Sequence, residues 1–299
     1  MCIRDSAYTA GKPWVWPGRT HYFICDMHAD TDAFLASLIA TGGVEKTGPA
    51  DADIRLTAEG QEAVFVIGGD CLDKGPSDLR LLRALADLRG TGATVVLLAG
   101  NHDMLAMGGL ASIGRGDDPR LDHLFVKMGL KALPLLREVW DGYLANRRRR
   151  SPMPSEKAIR ESLFPGKAWR RTFAAAAAGL VPERRIAKLQ ARIDDKCRQF
   201  EAACRERGMT LAMVYEASLT CRDLFLEPRG EFGWYFAGLD LAYRAGSCLF
   251  VHAGMDDVAA RVVREAGSDD LNRRFRQLVA SDLFALYHGP VGNVFRTRY

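Results

Sequence analysis

Residues 63–75 have the sequence A-V-F-V-I-G-G-D-C-L-D-K-G, and this stretch decides the fold class. It opens with apolar residues rich in β-branched and aromatic side chains, which predicts a buried strand over 63–67. Two glycines follow the strand at once, and after them come Asp70 and Asp73. An apolar strand that ends in glycine and carboxylates is typical of an α/β sheet whose functional groups lie beyond the strand ends.

The same arrangement occurs elsewhere in the chain. Further apolar runs predict buried strands over residues 21–25, 94–98 and 248–251. Helical patterns alternate with the strands, over 31–40 and over 77–89, where Ser77 is the expected N-cap and Gly90 the expected end. Strands that alternate with helices predict an α/β domain with a parallel sheet.

Polar side chains follow each of these strands directly. The first strand is followed by D-M-H, the third by G-N-H-D after one alanine, and the fourth by H-A-G. Because ligands bind beyond the carboxyl ends of parallel strands, we expect these side chains to converge at one edge of the sheet. Their oxygen and imidazole ligands suit manganese, iron or zinc, two ions of which can clamp a phosphoryl group. The candidate metal ligands are therefore the Asp, Asn and His residues of these blocks.

Taken together, the four blocks resemble the calcineurin-like metallophosphoesterase family, and within it the phosphoprotein-phosphatase branch and its bacterial relatives. That branch carries G-D-x-H-G, G-D-x-x-D-R-G, G-N-H-E/D and H-G/A-G in this order. The corresponding blocks span residues 21–105 and 248–256 of this chain. The resemblance implies the metallo-dependent phosphatase fold, an α/β architecture in which a two-layer β-sandwich is flanked by α-helices.

The resemblance also implies a role for each of these residues. It places Asp26 and His28 on one metal ion, Asn101 and His252 on the other, and Asp70 as the bridge between them. It places His102 near the leaving oxygen of the substrate, oriented by Asp73. His102 and Asp73 are therefore the predicted catalytic residues.

The sequence departs from the family pattern at several positions. Cys25 and Ala29 stand where glycine is usual, and Lys74 stands where arginine is usual. Lysine keeps a positive charge near phosphate but loses the bidentate fork. The family also has a further metal-binding histidine in a Gly-His pair on a late strand, whereas His288 lies in Y-H-G-P. We therefore expect a C-terminally truncated core that lacks one ligand and its strand, and that binds its second metal weakly.

Residues 139–232 differ from the rest of the chain in composition. They contain 19 Lys and Arg against 12 Asp and Glu, and the periodicity over 182–208 predicts one long amphipathic helix. We expect this segment to be a helical insertion that caps the metal cleft, with the core formed by 20–138 and 233–299. The four arginines over 147–150 are interpreted as a solvated face, and the alternative is a basic rim that attracts phosphate.

Composition and charge exclude several classes of protein. The 299 residues carry a formal charge of only +4, which gives no support to nucleic-acid or membrane binding. No apolar run reaches the roughly 18 residues needed to cross a bilayer, and the N-terminus lacks the apolar stretch of a secretory signal. The seven cysteines form no C-x-x-C pair, which argues against a structural zinc site. Their odd number and irregular spacing argue against a disulfide framework. A reducing, cytoplasmic location is therefore expected.

The leading functional hypothesis is hydrolysis of phosphomonoesters, including phosphoprotein Ser/Thr, by a hydroxide that bridges two divalent metal ions. His102 would donate a proton to the departing oxygen. Lys74, Arg296 and Arg298 would bind the substrate phosphate, which belongs to a small molecule or a protein. One alternative is hydrolysis of dinucleoside polyphosphates or phosphodiesters at the same site. The other is an inactive binding protein with a degenerate metal site.

Overall fold

A parallel sheet forms the centre of the computed structural model, which describes residues 11–114, 118–147 and 152–296. The sheet has the strand order β1-β4-β5-β6, where β1 is His21–Ile24, β4 is Val64–Ile67, β5 is Thr94–Leu98 and β6 is Leu239–Asp240. Each neighbouring pair is parallel, and His21 is in register with Val64, which is in register with Thr94. Three of the predicted strands therefore end at one edge of this sheet.

The fourth predicted strand, β8 (Cys248–Val251), lies outside the parallel sheet. It pairs in antiparallel register with β7 (Ala242–Ala245). Only Gly246 and Ser247 separate the two strands, and Gly246 has a φ of 57°. So short a connection with a positive φ makes a hairpin, and strands joined in this way pair antiparallel. The expectation of a parallel arrangement was wrong for this strand.

The β7–β8 hairpin forms a second layer against the parallel sheet. Tyr243 and Phe250 pack against the buried side chains of Val64, Val66 and Leu98. The two layers, with helices around them, give a mixed α/β architecture consistent with the metallo-dependent phosphatase fold. A separate antiparallel pair consists of β2 (Val44–Lys46) and β3 (Ile54–Leu56).

Helices follow the strands of the core as the sequence predicts. The helix after β1 is Thr31–Ala40, and the helix after β4 is Asp78–Gly90. Ser77 caps the latter, because its Oγ accepts a hydrogen bond from the backbone N–H of Arg80 at 3.0 Å. The other helices before residue 139 are Ala58–Glu62, Asn101–Ser112, His123–Met128 and Ala132–Val139.

The segment 139–232 is helical in its described residues. The long helix predicted over 182–208 is Glu183–Glu206, and its apolar face is buried at Ile186, Ile193 and Phe200. These side chains belong to the same hydrophobic cluster as the core, so the segment packs directly onto it. The division of the chain at 139 and 232 remains a prediction. The other helices of this segment are the π-helix Trp140–Leu144 and the α-helices Glu156–Leu163, Trp169–Ala177 and Leu211–Phe225.

Helices also dominate the C-terminal part of the chain. They are Gly233–Ala237, Asp257–Ala266, Ser268–Ser281, Leu283–His288 and Asn293–Arg296. Across the described residues, no helix combines the length and the apolar character that a membrane span requires.

Candidate metal centre

The loops after β1 and β4 have an unusual backbone conformation. Among the described residues, the non-glycine positions with positive φ all lie in these two loops: Asp26, His28, Ala29, Asp70, Asp73 and Lys74. Such conformations cost about 1–3 kcal/mol each and persist only where the surrounding structure holds them. Here the backbone N–H of His28 donates to the carbonyl of Asp70 at 2.9 Å, and that of Ala29 to Cys71 at 2.7 Å. The two loops therefore brace each other in a strained form that is common at functional sites.

Asp70 lies at the centre of the site, and its side chain is buried. Its Oδ1 accepts a hydrogen bond from the backbone N–H of His102 at 2.8 Å and lies 3.5 Å from Nε2 of His252. Its Oδ2 lies 3.9 Å from Nε2 of His28 and 3.8 Å from Nε2 of His102. The two carboxylate oxygens thus face different histidines, which is the arrangement that a bridging ligand requires.

His252 directs its Nε2 toward the carboxylate of Asp70. Its Nδ1 lies 2.8 Å from the carbonyl oxygen of Gly68, which only accepts, so the neutral ring carries its proton on Nδ1. The unprotonated Nε2 lies 3.3 Å from Oδ1 of Asn101 and 3.5 Å from Oδ1 of Asp70. Three acceptors converge with no proton between them, and a cation would satisfy all three.

The distances between the side chains fit a metal site better than a hydrogen-bonded one. Asp26 Oδ1 lies 3.6 Å from Nε2 of His28, beyond a normal hydrogen bond. Two ligands that each bind one ion at about 2.0–2.2 Å are themselves separated by about 3–4 Å. Two sets of residues place one ligand atom each within 4.8 Å of one another, namely His28, Asp70 and His102, and Asp26, Asp70 and His252. The donor set fits divalent metal ions.

These two sets differ from the pairing that the resemblance implies. The resemblance puts Asp26 with His28, which lie 3.6 Å apart, whereas the two sets group Asp26 with His252 and His28 with His102. The distribution of the ligands between two ions therefore remains a prediction. Lys74 also belongs to this neighbourhood, because its Nζ donates to Nε2 of His28 at 2.9 Å.

His102 and Asp73 form a hydrogen-bonded pair beside the metal-site residues. Nδ1 of His102 lies 2.7 Å from Oδ2 of Asp73, so Nδ1–H donates to the carboxylate and Nε2 faces Asp70. The backbone N–H of Asp73 in turn donates to Oδ1 of Asp78 at 2.7 Å. Burial, with smaller contributions from the charges of Glu138 and Asp73, raises the pKa of Asp78 to about 7. The predicted catalytic residues His102 and Asp73 are thus hydrogen-bonded to each other, and Asp78 holds the backbone of Asp73 in place.

Asp103 is a structural residue of the site to which the sequence analysis assigned no role. Its carboxylate is fully buried and accepts from the backbone N–H groups of Gly100 at 3.0 Å, Asp70 at 2.7 Å, Cys71 at 3.0 Å and Leu72 at 3.2 Å. It therefore joins the loop after β4 to the loop after β5. The position of Asp103, three residues after Gly100, is that of a helix capping box and could have revealed it.

The approach of these two loops explains why position 100 is glycine. A Cβ at Gly100 would lie 2.1 Å from the backbone nitrogen of Asp70, which no side chain can tolerate.

The position of Asp103 between the two loops also affects its acidity. Burial and the charge of Asp70 raise the pKa of Asp103.

The predicted substrate-binding arginines fall outside this group. The guanidinium of Arg296 donates to the carbonyls of Gly289 at 3.1 Å and Gly292 at 2.9 Å. Among the described residues, no recorded contact joins Arg296 to the five metal-site residues. Arg298 lies outside the described residues, as do three of the four arginines over 147–150.

The described residues of segment 139–232 do not line the pocket beside His102. That pocket is formed by residues 72–110 and by residues 128–136 just before the segment, including Lys131, whose Nζ lies 3.7 Å from Oδ2 of Asp73. Glu138 also belongs to this stretch and accepts hydrogen bonds from Ser77 Oγ and from the backbone N–H of Leu79. Whether 139–232 acts as a cap remains a prediction.

Comparison with known proteins agrees with this geometry. Residues 22–162 match the family model described as calcineurin-like phosphoesterase. No curated protein matches the chain. Among solved structures, a point mutant of a cold-active protein tyrosine phosphatase is 15% identical with a TM-score of 0.43, and the alignment covers 96% of this chain and 60% of that one.

A further crystal structure is the cold-active protein-tyrosine phosphatase of the psychrophile Shewanella sp. It is 15% identical with a TM-score of 0.42, and the alignment covers 94% of this chain and 57% of that one. The chain thus spans less than two thirds of the length of these structures. The match over residues 22–162 and the motif blocks that converge on Asp70 make this chain similar to the calcineurin-like phosphoesterase family.

Proposed function

We propose that the chain hydrolyses phosphate esters, and phosphomonoesters in particular, with the help of two divalent metal ions. One observation carries the proposal, which is the convergence of imidazole nitrogens and carboxylate oxygens on Asp70, next to the His102–Asp73 pair. The match of residues 22–162 to the calcineurin-like phosphoesterase family model supports it. The substrate would be a phosphorylated small molecule or protein.

The metal ions would be held by the five residues Asp26, His28, Asp70, Asn101 and His252. Mixed oxygen and nitrogen donors suit manganese, iron and zinc. Two such ions would neutralise phosphate charge and make water a stronger nucleophile near neutral pH. The six described cysteines are free thiols, which supports the proposal of a reducing, cytoplasmic setting.

Protein side chains would supply the proton that the leaving group needs. In the protonated form of His102, Nε2–H points toward the metal-site residues and can donate to the departing oxygen. Asp73 accepts from Nδ1–H, which holds the ring in place and stabilises its positive charge. Lys74 lies beside His28, and from there its ammonium can move to an equatorial phosphate oxygen.

A small pocket lies next to His102 and Asp73, and its other walls are mostly apolar, with Leu105, Leu135 and Leu136 among them. Its volume of ≈ 20 Å³ has room for about one water molecule, so the leaving group of a substrate would lie outside it.

The test is hydrolysis of p-nitrophenyl phosphate by the purified chain with manganese, before and after chelation. We expect turnover that is lost on chelation and restored by metal. Bis(p-nitrophenyl) phosphate and a dinucleoside polyphosphate, assayed in parallel, separate the phosphomonoesterase from its closest alternative. Faster hydrolysis of either compound would assign the site to diesters or anhydrides.

A binding protein with a degenerate site is a second candidate, and one contact favours it. The ammonium of Lys74 hydrogen-bonds to Nε2 of His28, where a metal ion would otherwise bind. Elemental analysis of the purified chain distinguishes the two. A chain that holds no metal and turns over none of the three substrates would favour the binding protein.

A further inference from the structure

A second cavity lies between the helical segment and the C-terminal part of the chain. Its volume is ≈ 620 Å³, within the range of small-molecule sites. Lys127, Arg185, His288 and Arg296 line one part of it, and we call it the basic pocket. None of its lining residues is an aspartate or glutamate, and none of the five metal-site residues belongs to it.

The cations of the basic pocket have no acidic partner among the described residues. The Nζ of Lys127 lies 4.0 Å from the ring centre of Tyr287, and the guanidinium of Arg296 lies 5.5 Å from the same ring. No recorded ion pair involves Lys127, Arg185 or Arg296, whereas arginines elsewhere, such as Arg80, are ion-paired. The basic pocket therefore gathers like charges without compensation.

The charges in the pocket interact with one another. Burial, and then the charges of Arg296 and Lys196, lower the pKa of Lys127 to about 7. Burial mainly, with Arg185 as a nearby charge, lowers the pKa of Arg296. Burial is the main cause of both shifts, neighbouring cations add to it, and a bound anion would stabilise the charged forms.

His288 lines the pocket without adding a charge to it. Burial, with the charges of Lys127 and Arg296, lowers the pKa of His288 to about 3, so the ring is neutral at physiological pH. Its Nε2 is buried away from the cavity and has no hydrogen-bond partner among the described residues.

The lining also contains an apolar wall. Phe173, Leu180, Val181, Pro182 and Leu189 form it, all from the helical segment. The guanidinium groups of Arg185 and Arg296 suit the tetrahedral oxygens of phosphate, because their N–H groups bind two oxygens at once. A cavity lined by both cations and apolar side chains suits a phosphate group attached to an organic part.

We propose that the basic pocket is a binding site for a phosphate-bearing small molecule, separate from the metal centre. Its phosphate group contacts Lys127, Arg185 and Arg296, and its organic part lies against Leu180 and Pro182. Because Arg185 lies on the helix Glu183–Glu206 and Arg296 near the end of the described chain, the bound ligand fastens the helical segment to the C-terminal part.

The test is calorimetric titration of the whole chain with pyrophosphate at constant ionic strength. Arg185→Glu reverses one pocket charge, and Arg184→Glu makes the same change at the neighbouring exposed position, which does not line the pocket. The side chains of Arg184 and Arg185 make no recorded hydrogen bond or ion pair, so both variants should fold. We expect Arg185→Glu to weaken binding about tenfold or more and Arg184→Glu to change it less than about threefold.

Asp70→Asn separates the basic pocket from the metal centre. Pyrophosphate binding to the basic pocket should persist in that variant, whatever its hydrolytic activity. The proposal is overturned if Arg185→Glu binds like the unsubstituted chain, if both arginine variants weaken binding equally, or if Asp70→Asn alone abolishes binding. It is also overturned if no binding is seen up to millimolar pyrophosphate.

Discussion

The metal centre and the basic pocket both gather groups that repel one another, but they hold these groups in different ways. In the metal centre, acceptors converge on Asp70 from loops fixed by backbone hydrogen bonds, several of which end on Asp103. In the basic pocket, cations come from separate helical segments and contact rings and carbonyls. Polar groups without partners that are held on a rigid backbone suit catalysis. Charged groups without partners that lie on separate segments suit the binding of a ligand that joins those segments.

The first prediction concerns the metal centre and has the largest expected effect. Asp70→Asn should abolish phosphatase activity and reduce the bound metal, because a neutral amide cannot replace a carboxylate that faces two sets of ligands. Turnover and elemental analysis measure the two effects. Normal activity with normal metal content would remove Asp70 from the centre of the site.

The second prediction concerns the proton donor. His102→Asn should lower turnover by about 10²–10⁴-fold on esters with poor leaving groups and spare activated aryl phosphates, because only the former need a proton. Alkyl and aryl phosphates assayed in parallel provide the control. Metal content should stay unchanged, and its loss would instead make His102 a ligand, as its grouping with His28 and Asp70 allows.

The third prediction asks whether Asp103 supplies the rigidity. Each of its carboxylate oxygens accepts from two backbone N–H groups, so Asp103→Asn places an NH₂ donor against two donors. We expect a loss of about 2–4 kcal/mol in the free energy of unfolding and lower activity. Chemical denaturation measures the first effect. The control is Asp269→Asn at an exposed site, and equal stability of the two variants would contradict the proposed role.

The fourth prediction tests the repulsion in the basic pocket and has the smallest expected effect. The folded chain holds the pKa of Lys127 near 7, against 10.5 ordinarily, so between these values the unfolded chain binds more protons. The destabilisation due to Lys127 is therefore fully present below pH 7 and fades as pH rises toward 10.5. Lys127→Met should raise the melting temperature more at about pH 6 than at about pH 9.

Exposed Lys157 is a matched control for this last prediction, because its side chain makes only a weak ion pair with Glu161. Lys157→Met should give a change in melting temperature that is nearly independent of pH. If Lys127→Met behaves in the same way, the charges in the pocket do not repel one another as described.

The sequence predicted those parts of the molecule that depend on local pattern. The strands β1, β4 and β5 were predictable because each is a short apolar run, and the metal-site residues because they follow the strands directly. The parallel placement of β8 was wrong, because strand direction depends on the two-residue connection at Gly246, and β7 was not recognised. The basic pocket was also missed, since Lys127, Arg185 and Arg296 are far apart in the chain and meet only through packing.

The mutual bracing of the loops after β1 and β4 has a consequence for the metal-free chain. The hydrogen bonds from His28 to Asp70 and from Ala29 to Cys71 use only backbone groups. The carboxylate of Asp103 accepts from backbone N–H groups in the loop after β4 and in the loop after β5. None of these bonds needs an ion to form. We therefore expect the site to be folded before any ion binds, unlike a zinc finger, which folds only around its metal. Chelation should leave a cooperative thermal unfolding transition, and ions should enter and leave without refolding of the chain.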